Sequence, residues 1–193
     1  MNVYDFDGTI YNGDSTVDFF LYVLKSKPAL IRYLPKQFLG FALYGMKRIE
    51  KTKLKEYFFS FLPAIEVEKL TKSFWEQSQT KVFEWYLKQK RPDDIIISAS
   101  PEFLLKPICR RLGINYLIAS KVDTQSGKFV GKNCYGQEKV RRLESEYHVS
   151  HIDQFYSDSQ SDLPLAKIAD KAFLVNNGVV REWKGITDYE QKR

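Results

Sequence analysis

The sequence predicts an α/β fold in which a parallel sheet carries a block of helices inserted after its first strand. Two observations predict it. Beyond Arg91-Pro92, short apolar runs alternate with amphipathic ones, as in parallel strands covered on both faces by crossover helices. Between Asp14 and about Gln89, aromatic and aliphatic residues instead recur at helical spacing. The 193 residues suffice for one domain carrying an insertion. The expected division is a core of residues 1–13 and 91–193 and a helical cap of residues 14–90.

Residues 1–4 read as the first strand. Asp14 or Ser15 supplies the oxygen that caps the first helix. Pro28, Pro35 and Pro63 lack an amide donor and divide the insertion into several helices. Glu66 to Lys90 reads as one long amphipathic helix burying Leu70, Phe74, Val82, Trp85 and Tyr86. Asp94–Ser98 is the next strand. Pro101–Leu112 is a helix with proline in its first turn and Gly113 past its end. Tyr116–Ala119 is a strand, and Val122 to Val130 a small hairpin around Gln125-Ser126-Gly127. A helix over Gln137–Tyr147, a strand over Gln154–Ser157, a helix over Asp162–Ala169 and a strand over Ala172–Val175 complete the pattern.

Composition narrows the class. The hydrophobic and charged fractions, 44% and 28%, are those of a globular chain and not of a disordered one. Two cysteines, Cys109 and Cys134, make no disulfide framework and read as reduced thiols. No secretory leader is expected ahead of functional residues that begin at position 5, so a cytoplasmic location is expected. Residues 16–58 hold nine basic and three acidic side chains, which accounts for the whole net charge of +6. An anionic partner or substrate meeting this stretch is plausible on charge alone.

In parallel sheets, ligands bind beyond the carboxyl ends of the strands. Asp5, Ser98 and Asp158 each follow an expected strand directly, so topology and polarity agree on one location. A carboxylate attacks phosphorus once the phosphate charge is neutralised. Magnesium does this, and it prefers a few carboxylates with waters and a phosphate oxygen. Asp5 and Asp158 would supply carboxylates and Asp7 a carbonyl oxygen. The Asp7 side chain is then free for general acid and base work. Ser98, with Ala99 beside it, and Lys139 would hold the remaining phosphoryl oxygens, and Gly8 would allow close backbone approach.

The run Tyr4-Asp5-Phe6-Asp7-Gly8-Thr9-Ile10 resembles the first motif of the haloacid dehalogenase superfamily. Ile96-Ile97-Ser98 resembles its second motif, Lys139 its third, and Asp158-Ser159-Gln160-Ser161-Asp162 its fourth. The helical insertion is similar to the C1 cap of the phosphoserine-phosphatase-like branch, subfamily IB. The resemblance implies a Rossmann-like core, Mg2+ dependence and an aspartyl-phosphate intermediate. It makes Asp5 the nucleophile, Asp7 the acid/base, Ser98 and Lys139 the phosphate holders and Asp158 a metal ligand. Asp162 would support the metal shell or orient Lys139.

Three departures argue against phosphoserine as substrate. Asp14 stands where that branch has a longer glutamate, Ser98-Ala99-Ser100-Pro101 lacks its glycines, and Ser161 replaces an asparagine. The Ser98–Pro101 run and the segment Asn133–Val140 look more like a subgroup near the bacterial phosphatidylglycerophosphatase C proteins. The expected substrate is thus a small phosphorylated metabolite or a phospholipid headgroup.

Phe38, Phe41 and Tyr44 are interleaved with Arg32, Lys36, Lys47 and Arg48. They read either as aromatics that pack the cap and line its pocket, or as a helix making peripheral contact with an anionic membrane. A spanning helix is not expected, since Arg32, Pro35 and Lys36 interrupt the stretch. No nucleic acid is expected. The rival classes are a phospho-receiver, which would hold an aspartyl phosphate rather than turn it over, and a module that binds an anionic membrane through the basic cap. Gly127 to Lys132 lacks the Walker spacing, and His148 and His151 have no further zinc-type ligands near them. Cys134, close before Lys139, has no identifiable partner to activate it as a nucleophile.

Overall fold

The computed structural model describes residues 1–184, so the last nine residues of the expected core, 185–193, lie outside the described residues. Six strands form one sheet in the order β3-β2-β1-β4-β5-β6. They are β1 (Asn2–Tyr4), β2 (Ile95–Pro101), β3 (Tyr116–Ser120), β4 (Ile152–Ser157), β5 (Ala169–Asn176) and β6 (Val179–Glu182). The first five are mutually parallel, and β6 returns antiparallel to β5. Helices α1 (Ser15–Ser26), α2 (Leu34–Gly45), α3 (Lys51–Phe58), α4 (Val67–Ser78) and α5 (Glu84–Gln89) lie between β1 and β2. Helices α6 (Glu102–Leu112), α7 (Gln137–Tyr147) and α8 (Leu163–Ala166) connect the later strands.

Strand alternation sorts the core into two layers. Val3, Ile95, Ile97 and Phe155 face a cluster with Leu143 and Leu165. Tyr4, Ile96 and Tyr156 face the other side, with Trp75, Tyr86 and Leu105. On that side Tyr4 stacks on Tyr156 at 4.8 Å, and Tyr156 stacks on Phe173 at 4.7 Å.

Four sequence expectations need correction. The long helix over Glu66–Lys90 is two helices, α4 and α5, parted by a single 3-10 turn and an extended link. The break has a cause in the backbone. The Phe83 N–H donates to the Ile10 carbonyl at 2.9 Å, the Asn12 N–H donates to the Lys81 carbonyl at 2.9 Å, and Val82 bridges Tyr11. Extended pairing with the loop after β1 therefore replaces helical bonds there. Of the five expected buried residues, Phe74, Val82 and Tyr86 are buried, while Leu70 and Trp85 are only partly so.

The helix expected over Asp162–Ala169 shrinks to a 3-10 turn and the short α8, because Ala169 already pairs with Ile152 as the start of β5. The sheet has an antiparallel edge that the sequence reading missed. Its signal was present in Asn177-Gly178, preceded by Val175-Asn176 and followed by Val179-Val180, and both turn residues take positive φ, 48° and 78°. Finally, Phe38, Phe41 and Tyr44 do not pack the insertion, because all three are exposed.

Candidate active site

Asp5 follows β1 directly, at the centre of the sheet and level with the end of β4, where its N–H donates to the Tyr156 carbonyl at 2.9 Å. The adjoining end of β2 keeps Ser98 paired with Ala119 and then breaks register before Pro101, so that Ala99 and Ser100 leave the regular ladder. α7 delivers Lys139 from its first turn. The loop after β4 delivers Asp158 and Asp162. Asp5, Ser98 and Asp158 thus lie at strand ends, while Lys139 and Asp162 come from a helix and a turn beside them.

At the centre is a buried three-membered charge cluster. The Lys139 ammonium donates to Asp5 Oδ1 at 2.8 Å and to Asp162 Oδ2 at 2.7 Å, and Lys139 is 2% exposed. Ser157 Oγ donates to the same Asp162 oxygen at 2.8 Å. Burial opposes the Lys139 charge, yet the Asp5 and Asp162 carboxylates outweigh it and hold the ammonium above its usual range. Burial likewise pushes Asp5 up to about 7, against the pull of Lys139. An ammonium has three donors, and this cluster uses two of them. Among the described residues no acceptor takes the third.

Asp7 is held from two sides. Its Oδ1 accepts from the Ser15 N–H at 2.7 Å, and its Oδ2 accepts a short hydrogen bond from the Ser100 hydroxyl. Ser100 Oγ also meets Thr16 Oγ at 3.0 Å. Burial and the neighbouring Asp14 charge push Asp7 up to about 6, while the Ser100 and Ser15 hydrogen bonds pull it down. Such a carboxyl exchanges protons near neutral pH.

Gly8 lies at φ +70°, and a Cβ there would fall 2.1 Å from Asp158 Oδ2. The room at Gly8 is thus taken by the Asp158 carboxylate, and its N–H is spent on the Tyr11 and Gly13 carbonyls. The buried Thr9 fixes Asp158 by accepting from its N–H at 2.9 Å. Ser98, 2% exposed, accepts from the Ser100 N–H at 3.1 Å, and among the described residues its own hydroxyl hydrogen has no acceptor.

The helices between β1 and β2 reach this centre. Asp14, exposed, caps α1 through one carboxylate oxygen, Oδ1, which accepts from the Thr16 and Val17 N–H groups. Lys55 of α3 donates to the Ala99 carbonyl at 2.8 Å. Burial, aided by the Lys51 charge, lowers its pKa to about 8. Lys55, Ser100 and Thr9 were missed in the sequence as site residues. Ser100 had a weak signal, as a second hydroxyl in an otherwise apolar strand, whereas nothing local set Lys55 apart from the other lysines of its helix.

The donor set fits a hard, oxygen-seeking cation. Among the described residues, Asp5 Oδ2 and the Asp158 carboxylate accept no hydrogen bond, whereas both Asp7 oxygens are taken. Asp5, Asp158 and the Asp7 carbonyl could hold such a cation, for which Mg2+ has the matching preference for a few carboxylate and carbonyl oxygens. Among the described residues no group of three or more His, Cys, Asp or Glu side chains is arranged to hold a metal ion.

A family profile described as haloacid dehalogenase-like hydrolase matches residues 3–167. A probable phosphatase of Mycobacterium tuberculosis is 35% identical over 92 residues, covering 44% of this chain and 32% of that protein. The chain thus aligns with about a third of that relative's length. A solved structure of a protein of unknown function from Bordetella pertussis superposes with a TM-score of 0.74 at 18% identity, covering 99% of this chain and 94% of that one. A substrate-bound phosphoserine phosphatase superposes with a TM-score of 0.59 at 16% identity, covering 89% and 83%. At these identities the two structures speak to the fold alone.

Proposed function

This chain belongs to the haloacid dehalogenase-like hydrolase family, and from that premise we propose that it hydrolyses phosphomonoesters through an aspartyl-phosphate intermediate. One observation carries the reading: Asp5 emerges from the central strand with one oxygen held by the buried Lys139 and the other free, while Asp7 stands two residues on with a raised pKa.

In this mechanism Asp5 attacks phosphorus, and the bond from phosphorus to the ester oxygen breaks. Asp7 gives its proton to the departing alkoxide and becomes a carboxylate. A water then attacks the phosphorus of the acyl phosphate, Asp7 takes the water's proton, and inorganic phosphate leaves a regenerated Asp5. Lys139 and Ser98 donate to the phosphoryl oxygens as charge spreads over them. When bound, Mg2+ held by Asp5, Asp158 and the Asp7 carbonyl neutralises phosphate charge. Asp162 keeps Lys139 aimed at Asp5. The helices of residues 14–90 serve as a cap, and Lys55 brings a positive charge from it to the Ala99 edge of the site.

The substrate class is a small phosphorylated metabolite or a phospholipid headgroup. The test is phosphate release from a panel of phosphomonoesters, with and without Mg2+, by the native chain and Asp5→Asn. Mg2+-dependent turnover that Asp5→Asn abolishes supports the reading. A stable acyl phosphate with no turnover would point to a receiver, and anion binding unchanged in Asp5→Asn with no turnover to a binding module.

A further inference from the structure

Helix α2 is packed inside out. Its buried residues are Gln37 and Gly40. Gln37 donates to the Phe58 carbonyl at 2.8 Å, and Gly40 lies so close to Tyr57 that a Cβ would fall 2.5 Å from the tyrosine Cβ. The apolar side chains point the other way. Phe38 is 66% exposed, Leu39 52%, Phe41 50% and Met46 57%. Phe38, Phe41, Ala42 and Gly45 follow i, i+3, i+4, i+7 spacing and form one stripe, with Leu39 and Met46 along its flank. Ile31, in the turn leading into the helix, is 62% exposed. A surface helix ordinarily turns such a stripe to the core, so one turned to water marks a surface that meets something else.

Along this stretch of chain the charge has one sign. From Phe19 to Ile49 there is no aspartate or glutamate, while Lys25, Lys27, Arg32, Lys36, Lys47 and Arg48 are present. Among the described residues, none of these six joins an ion pair. Arg32 and Lys36 precede the apolar stripe, and Lys47 and Arg48 follow it.

We propose that this face docks on an anionic lipid bilayer, with α2 lying in the plane of the headgroups. Apolar side chains enter the interface, and the flanking cations meet lipid phosphates. Charge complementarity selects this occupant. A second copy packed on the same patch would set six unpaired cations against six more. No described helix is long and apolar enough to cross a membrane, so the contact is peripheral. Through the Gly40–Tyr57 contact α2 rests on α3, whose Lys55 reaches the Ala99 carbonyl, so docking would bring the helices over the active site to the lipid surface. The inference rests on this surface alone and stands apart from the phosphatase reading.

The test is co-sedimentation of the full chain with vesicles of phosphatidylcholine, with and without phosphatidylglycerol. Binding is expected only with the anionic lipid, weakening as salt is raised. The exposed double variant Phe38→Ser, Phe41→Ser is expected to bind at least about tenfold more weakly, with unchanged melting and unchanged activity on a soluble ester. Lys36→Glu with Lys47→Glu should lose binding to the same degree. Equal binding to neutral vesicles, no binding to anionic ones, or full binding by the serine variant would overturn the proposal. So would a dimer, seen by light scattering without lipid, that the serine variant dissolves.

Discussion

Lys139 and Asp162, 23 residues apart in the chain, form a 2.7 Å ion pair in which both side chains are almost sealed from water. Removing one member of such a pair leaves the other charge buried and unpaired. Lys139→Met would set Asp5 and Asp162 together without their shared cation and should cost about 3–5 kcal/mol of folding stability. Urea unfolding checks this, and a loss below about 1 kcal/mol would show that the cluster is not electrostatically committed.

Gly8→Ala should fail for two reasons at one atom. The residue sits at φ +70°, which costs an L-residue about 1–2 kcal/mol, and the new methyl would strike Asp158 Oδ2. A modest drop in melting temperature with a much larger loss of turnover is expected. Unchanged turnover would mean that Asp158 can move without consequence.

Asp158 itself is exposed, so Asp158→Asn should leave stability nearly unchanged. As a proposed ligand it should raise the Mg2+ concentration for half-maximal activity by roughly tenfold or more, a loss that even outer partners of a metal produce. Chelation should abolish turnover of the native chain, and added Mg2+ should restore it.

The raised pKa of Asp7 sets a pH limb. A carboxyl titrating near 6 holds its proton below that pH and loses it above. If loss of the leaving group limits the rate, turnover of alkyl phosphates should fall as pH rises through about 6. p-Nitrophenyl phosphate, whose leaving group needs no proton, should lack that limb. The Ser100 hydrogen bond lowers this pKa, so Ser100→Ala should move the limb to higher pH. Asp7→Asn should cost alkyl phosphates roughly a hundred- to ten-thousandfold. Superimposable profiles for both ester types would count against Asp7 as the acid.

Lys55 is protonated below about 8 and neutral above it. Its attraction for an anionic substrate should therefore fade as pH rises through that value. The expected result is a KM that climbs above pH 8 in the native chain and is already high and flat in Lys55→Met. Identical KM profiles would remove Lys55 from the binding surface.

Much of the site could be read from the chain alone, because several of its groups advertise themselves locally. Asp5, Ser98 and Asp158 follow short apolar strands, and such strand ends converge at one edge of a parallel sheet. That the core is a parallel sheet follows from the same local rules, whereas its strand order, β3-β2-β1-β4-β5, came only with the tertiary structure. Gly8 was legible as special, but its reason lies in Asp158, 150 residues away. Lys55 was one lysine among many until α3 set it against Ala99. The helix over Glu66–Lys90 had the right periodicity throughout, and broke because residues 81–83 found extended partners beside Ile10 and Asn12. The orientation of α2 is the clearest case. Its stripe of Phe38, Phe41 and Met46 is a property of its own sequence, whereas its exposure to water was decided by Gln37 and Gly40 fitting closely against α3. Periodicity describes one element's faces, and only packing between elements decides which face is buried.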